Sequence, residues 1–199
     1  HFQPLEGMTH PDAEKWNTRY RNGDHDRSIP ARVLSEYPQL LPREGTALDL
    51  ACGTGANALF LAHHGLETSA WDLSAEAISL LLTRAKENHL AITTRVCDVT
   101  QTPIPASTFD VITVSYFLDR ALFPALINAL KTGGLLYYQT WLRERIGTRG
   151  PRNENFLLGV NELLHLCQGL RIILYREEGL IGDPGRGLRD EAMLIGQRG

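Results

Sequence analysis

The stretch Leu48-Asp49-Leu50-Ala51-Cys52-Gly53-Thr54-Gly55 decides the fold of this chain. Its first part, from Ala47 to Ala51, reads as a short buried strand, because the apolar run is interrupted only once. Gly53 and Gly55 then permit a tight turn, and the apolar residues Leu59, Phe60 and Ala62 follow in a segment that reads as a helix closed by Gly65. Strand, glycine turn and helix together form the first unit of an α/β sheet.

The same alternation continues downstream. Thr68 to Trp71 reads as a second strand, and Ser74 is a suitable N-cap for a long helix carrying Ile78, Leu81, Leu82 and Ala85. Thr93 to Cys97 is the third strand, and Phe109 to Val114 is the fourth and most apolar. A helix through Leu122, Leu126 and Leu130 runs to a Gly133-Gly134 turn, and Leu135 to Thr140 is the fifth strand. Asn161 to Leu166 is helical. Arg171 to Tyr175 and Glu191 to Ile195 form a last strand pair. The glycine-rich Gly179 to Gly187 segment joins them without a helix, which predicts an antiparallel connection.

Upstream, Ala13, Trp16 and Tyr20 recur at helical spacing between Asp12 and Asn22, and Gly23 with Asp24 stops that helix. Ile29, Val33, Leu34 and Tyr37 lie on one face of a second amphipathic stretch that ends near Pro38. The prediction is a three-layer, Rossmann-like α/β fold, with a mostly parallel sheet of about seven strands and an antiparallel C-terminal strand. It treats residues 1–199 as a single domain, with 1–45 a helical leader and 46–199 the core.

Composition narrows the function. With 43% hydrophobic and 22% charged residues, the chain can fill a core and disorder is not the default. A formal net charge of -3 gives no steering toward nucleic acid or an anionic membrane, so a small molecule is the better partner. Cys52, Cys97 and Cys167 are scattered and odd in number, which points to a reducing cytoplasm rather than a disulfide framework. No Cys/His pair has zinc spacing, so no metal is expected. His1 to Gly7 has no basic-then-apolar pattern of a signal peptide, and no apolar run reaches membrane length. Met8 is a candidate natural first residue, and whether residues 1–7 are native stays open.

In open α/β sheets the ligand binds at the carboxyl ends of the strands. Asp49, Asp72 and Asp98 all stand at or beside such ends. Asp72 comes 19 positions after Gly53, where a carboxylate can accept both hydrogen bonds of a ribose diol. The glycine turn alone also satisfies a nicotinamide fingerprint, Gly53-x-Gly55-x-x-Ala58. Asp49 separates the two readings. A dinucleotide would set its pyrophosphate over a carboxylate, whereas S-adenosylmethionine brings a sulfonium and an ammonium that a carboxylate attracts.

Residues 48–55 resemble the first motif of class I methyltransferases, with Ala51 where many have glycine. Trp71-Asp72-Leu73-Ser74 resembles their ribose motif and Cys97-Asp98-Val99 their adenine motif. Phe109 to Ile112 and Leu130 to Leu136 are similar to their fourth- and fifth-strand motifs. Within the class, Trp16-Asn17-x-Arg19-Tyr20, Tyr116 to Arg120, Gly150 to Asn153, Phe156 to Leu158 and Glu162 to Leu164 resemble the TehB-like (tellurite-resistance) and thiopurine-type enzymes. The resemblance implies that Asp49, Ala51, Gly53 and Gly55 line the methionine end of S-adenosylmethionine. It implies Asp72 at the ribose, Leu73 on one adenine face, and Asp98 with Val99 at the adenine amino group. Ser115 would lie near the methionyl group, with Trp16 and Tyr20 in a lid.

Plainer readings stand beside these. Asp49 also reads as a cap of the next helix, and Trp16 and Tyr20 as residues that pack the first helix onto the sheet. Asp119 and Arg120 read as an ion pair or helix start. Tyr116 and Arg120 are the only catalytic candidates, and no general base is evident, which favours a soft acceptor such as a thiol or chalcogen. Arg143, Arg145, Arg149 and Arg152 follow the fifth strand and suit an anionic acceptor, or form a solvated loop. The expected activity is methyl transfer from S-adenosylmethionine, released as S-adenosylhomocysteine, to a small molecule. The alternatives are a nicotinamide-dependent oxidoreductase and a non-catalytic methyltransferase-like binding module.

Overall fold

In a computed structural model, which describes residues 10–23 and 29–199, the chain enters through α1 (Pro11–Arg21) and α2 (Arg32–Ser35). Then β1 (Thr46–Leu50), α3 (Ala56–His63), β2 (Glu67–Asp72), α4 (Ala75–Glu87) and β3 (Ile92–Val96) alternate. They are followed by β4 (Phe109–Ser115), α5 (Phe123–Ala129), β5 (Leu130–Trp141), α6 (Glu162–Leu166), β6 (Arg171–Glu177) and β7 (Glu191–Gln197). Residues 1–7, the candidate start Met8 and the helix-stop residue Asp24 lie outside the described residues.

The seven strands form one sheet in the order β3-β2-β1-β4-β5-β7-β6. Pairing is parallel from β3 to β5, and β7 runs antiparallel to both of its neighbours. This matches the expected Rossmann-like class. Strand order reverses between β1 and β4, so a crevice opens at their carboxyl ends, and the glycine turn sits there.

Period-2 alternation divides the strand side chains between two cores. Leu48, Leu50, Ile112, Val114, Leu136 and Tyr138 pack with Phe123 and Leu126 of α5. Ala47, Val111, Tyr137 and Ile195 pack on the other face with Val33 and Leu34 of α2 and Leu61 of α3. Each fully buried leucine contributes about 1.5–3 kcal/mol.

Several local expectations need correction. α2 has only four residues, and Ile29 is 76% exposed, so the leader's apolar face reduces to Val33 and Leu34 with the half-buried Tyr37. The buried face of α3 is Asn57, Ala58 and Leu61; Leu59, Phe60 and Ala62 only flank it. That rotation follows from Asn57, whose polar side chain is turned inward by bonds to two other segments. On α4 the inward residues are Ala77, Ile78, Leu81 and Ala85, while Leu82 is 46% exposed. Leu130 begins β5 instead of ending a helix. Phe109 pairs with Leu130 but Val111 with Leu135, so Gly133-Gly134 is an irregularity inside the strand, not a turn before it.

No helix forms between β3 and β4, and β3 has no fully buried residue. There Arg95 lies 5.1 Å over the Trp71 ring, beside a depression of about 1030 Å³ bordered by Ser69, Ile92 and Phe109. Among the described residues, no helix is long and apolar enough to cross a membrane.

Candidate active site at the glycine turn

The turn after β1 is built from left-handed residues. Ala51 (φ +53°), Gly53 (φ +54°) and Gly55 (φ +80°) all lie there. An L-residue in that region costs roughly 1–2 kcal/mol, so Ala51 carries strain that glycine would not. A Cβ on Gly55 would stand 2.2 Å from Leu81 Cδ1, and one on Gly53 would stand 2.9 Å from the Tyr20 hydroxyl. Only glycine fits against α4 at the first position, and the second is roofed by α1.

Asp72 ties the turn down. Its Oδ2 accepts the Gly53 N–H and its Oδ1 the Ser74 N–H, each at 2.8 Å. Burial raises its pKa, and the N–H groups of Ser74, Gly53 and Leu73 act against that rise. Leu73, half-buried, follows directly. Asp49 lies beneath the turn, 1% exposed. Its Oδ2 accepts the Ala58 N–H at 3.0 Å, so the capping reading is correct as far as that oxygen goes. Its Oδ1 is buried with no hydrogen-bond partner among the described residues. Burial pushes its pKa up to about 8; the bond from Ala58 opposes this, and the charge of Asp72 adds to it. No Lys, Arg or His of the described residues lies within ion-pair distance of either carboxylate.

Asp98 sits farther along the edge. Its Oδ1 accepts from the N–H (2.9 Å) and hydroxyl (2.7 Å) of Thr100, and its Oδ2 faces His10 Nε2 at 3.2 Å. Val99 beside it is 5% exposed. The leader helix touches the site at both ends. His10 caps α1, and Asn17 Oδ1 accepts from the Ser74 hydroxyl at 2.6 Å and the Glu76 N–H at 3.3 Å. Within α1, Trp16 and Tyr20 stack at 6.2 Å and Arg19 lies 5.1 Å over Trp16. α1 has no fully buried residue, and Trp16 and Tyr20 are half-buried. The Tyr20 hydroxyl stands over the turn at Gly53, and Asn17 bonds the start of α4.

On the β4 side, Ser115 Oγ accepts from Asn57 Nδ2 at 2.7 Å, while Asn57 Oδ1 accepts the Ala31 N–H at 2.9 Å. One amide thus joins the leader, the turn helix and β4. Tyr116 is left-handed (φ +58°), its ring lies 5.2 Å from Trp141, and its hydroxyl donates to Glu191 Oε2 at 3.1 Å. Arg120, a sequence candidate for catalysis, acts as a strut. It holds Glu162 and donates to the carbonyls of Asn155 (2.6 Å) and Leu157 (3.0 Å). Asp119 caps its turn through the Ala121 N–H, so the two residues do not pair with each other.

The basic loop also divides. Arg145 spends itself on the carbonyls of Arg149 and Pro151, and Arg149 lies over the Trp141 ring. Arg143 and Arg152 are exposed. Sequence reasoning missed Asn17, Asn57, Gln139 and Glu191. Only Asn57 left a signal, as a polar residue one position into the turn helix.

The donor set indicates which ligand fits. Two buried carboxylates, one with an unpartnered oxygen, would repel a pyrophosphate and would be relieved by a cation. Residues 47–134 match the family model for a methyltransferase domain. A Haemophilus influenzae protein named probable S-adenosyl-L-methionine-dependent methyltransferase TehB is 34% identical over 121 residues, covering 60% of this chain and 39% of that protein. This chain therefore spans less than half the length of that relative. The crystal structure of TehB from Haemophilus influenzae superposes with a TM-score of 0.70 at 20% identity, covering 94% of this chain and 67% of the other. Geranyl diphosphate C-methyltransferase from Streptomyces coelicolor, solved with S-adenosyl-L-homocysteine, Mg2+ and geranyl diphosphate, gives 0.70 at 16% identity, covering 99% and 100%. Residues 47–134 are thus similar to a methyltransferase domain, and the fold is that of these solved methyltransferases. Over those 121 residues the chain is similar to TehB.

Proposed function

We propose that this chain transfers the methyl group of S-adenosylmethionine to a small-molecule acceptor bound between the glycine turn and the β4–β5–β7 edge. The observation that carries this reading is the unpartnered, buried Asp49 oxygen beneath a turn roofed by α1. Ala51, Gly53 and Gly55 would hold the methionine end of the cofactor, with Ser115 opposite. Asp72 would hold the ribose, Leu73, Asp98 and Val99 the adenine, and Trp16 would cover it. The cofactor supplies an electrophilic methyl group on a sulfonium.

The protein's contribution is placement and dryness. Holding two reactants in line lowers the barrier by up to ~7–11 kcal/mol in favourable cases. α1 closes the turn from above through Tyr20 and Asn17, which limits the access of water to the methyl group. Arg143 and Arg152, the two loop arginines not spent on the loop's own carbonyls or on Trp141, offer charge to a carboxylate or oxyanion on the acceptor.

The test is release of S-adenosylhomocysteine against thiols, amines, phenols, carboxylates and chalcogen oxyanions. Turnover with at least one small acceptor is expected. Cofactor binding without methyl transfer to any of them would instead support a non-catalytic binding module.

A further inference from the structure

Farther along the sheet edge that holds the glycine turn lies a buried carboxylate that cofactor binding does not use. Glu191 is the first residue of β7 and pairs with Trp141, the last residue of β5, so it stands at the same edge of the sheet as the turn. It is 6% exposed, and no Lys, Arg or His of the described residues lies within ion-pair distance. A buried carboxylate without a cation is costly, so its hydrogen bonds matter. They come from Gln139 Nε2 and from the Tyr116 hydroxyl.

The direction of these bonds is fixed. Gln139 is fully buried, and its Oε1 accepts the Val33 N–H at 2.8 Å, which leaves its Nε2 to donate. That amide donates to Glu191 and, at 3.3 Å, to the Tyr116 oxygen. The Tyr116 hydroxyl donates to the carboxylate at 3.1 Å. A hydroxyl whose proton is already given to a carboxylate is a stronger acceptor for another X–H group. Tyr116 is also held rigidly, by its left-handed backbone, its N–H bond to the Gln139 carbonyl at 2.8 Å and the Trp141 ring. It follows Ser115 directly at the end of β4, the strand beside β1 and its turn.

We propose that Tyr116 and Glu191 form a proton relay that serves a protonated acceptor, a neutral thiol, amine or hydroxyl, in the methyl transfer described above. This rests on the methyltransferase reading and supplies the base that the sequence did not reveal. The reacting atom of the acceptor forms its bond to the methyl carbon as the carbon–sulfur bond breaks, and that electron pair stays on sulfur. The acceptor's proton passes to the Tyr116 oxygen while the Tyr116 proton passes to Glu191 Oε2. Glu191 ends neutral, the sulfur ends as a thioether, and the proton later leaves to solvent. Around Glu191 stand Tyr116, just past β4, and the uncharged Gln139 and Trp141 of β5; the Val33 N–H of α2 binds Gln139. The adjacent Asp190 is occupied at Oδ1 by the Ile146 N–H.

The test compares wild type, Glu191→Gln and Tyr116→Phe on two acceptors identified by turnover. One is protonated at assay pH, and the other, such as a low-pKa thiol or a selenol, is already ionised. On the protonated acceptor, Glu191→Gln should lower kcat by about 10²–10³-fold with little change in KM. On the ionised acceptor the loss should stay within about fivefold. Independently of turnover, calorimetry of the protonated acceptor on protein loaded with S-adenosylhomocysteine should show roughly fivefold to tenfold weaker binding to Tyr116→Phe. If Glu191→Gln is too unstable to assay, Tyr116→Phe decides between relay and structural role, because it keeps the Gln139–Glu191 bond. Equal losses on both acceptors would reduce Glu191 to a structural residue. A wild-type protein that binds no S-adenosylmethionine would overturn the methyltransferase reading and the relay with it. A wild-type protein that turns over while its variants match it would overturn the relay alone.

Discussion

Two stretches of one sheet edge carry buried carboxylates, and they are built in opposite ways. At the β1–β2 end, Asp49 and Asp72 accept mainly backbone N–H groups from residues within 19 positions. At the β4–β5–β7 end, Glu191 accepts side-chain donors from residues 52 and 75 positions away, and Gln139 reaches back 106 to Val33. The first end is a local device that a short motif can specify. The second exists only when the leader, the middle strands and the last strand come together. In the proposed function the cofactor side would be set by the turn and the acceptor side by the assembled fold. One cofactor site can then stand beside many acceptor sites on the same scaffold.

The largest effect should come from cutting the local device. Asp72→Ala leaves the Gly53 and Ser74 N–H groups without their acceptor, at about 1–3 kcal/mol each. Both the melting temperature and cofactor affinity should fall, the latter by about a hundredfold or more, as read by calorimetry. Affinity within threefold of wild type would show that the turn does not depend on this carboxylate.

Asp49 should separate stability from binding. Its folded pKa, about 8, lies above the ordinary value of 3.8, so the folded state holds a proton that the unfolded state has lost between those values. Its contribution is most favourable below the unfolded pKa and declines as pH rises toward about 8. Asp49→Asn keeps an acceptor for the Ala58 N–H but removes that slope. Its melting temperature should exceed that of wild type at pH 8 to 9, while S-adenosylmethionine binds about ten- to a hundredfold more weakly. A variant that is both less stable and unaltered in binding would mean that Asp49 only caps α3.

The smallest effect belongs to the far loop. Arg143→Glu with Arg152→Glu should raise KM for an anionic acceptor several-fold and leave cofactor affinity alone. Unchanged kinetics would make that loop a solvated surface.

The contrast also explains what the sequence could reveal. The order of strands and helices, the antiparallel last pair and the glycine turn were legible, because each follows from local periodicity or from glycine's access to positive φ. Ala51 shows why that motif position is so often glycine: it too is left-handed. The buried face of α3 was not legible, because it includes the polar Asn57, which binds Ala31 and Ser115. Arg120 looked catalytic on position alone, yet its guanidinium is committed to Glu162 and two loop carbonyls. Glu191 begins a strand whose next residues, Ala192 to Ile195, are buried and apolar, and it gave no sign of Tyr116. Contacts across 75 positions have no period to read.

The central claim is that a buried, incompletely partnered carboxylate under the glycine turn selects a cationic methyl donor over a dinucleotide. Calorimetric titration of the wild-type protein with S-adenosylmethionine, S-adenosylhomocysteine and NADH tests it most directly. Saturable binding of the first two is expected, with no heat from NADH. S-adenosylmethionine affinity should also rise with pH toward about 8, as Asp49 ionises. Saturable NADH binding with no heat from either sulfur nucleoside would contradict the claim.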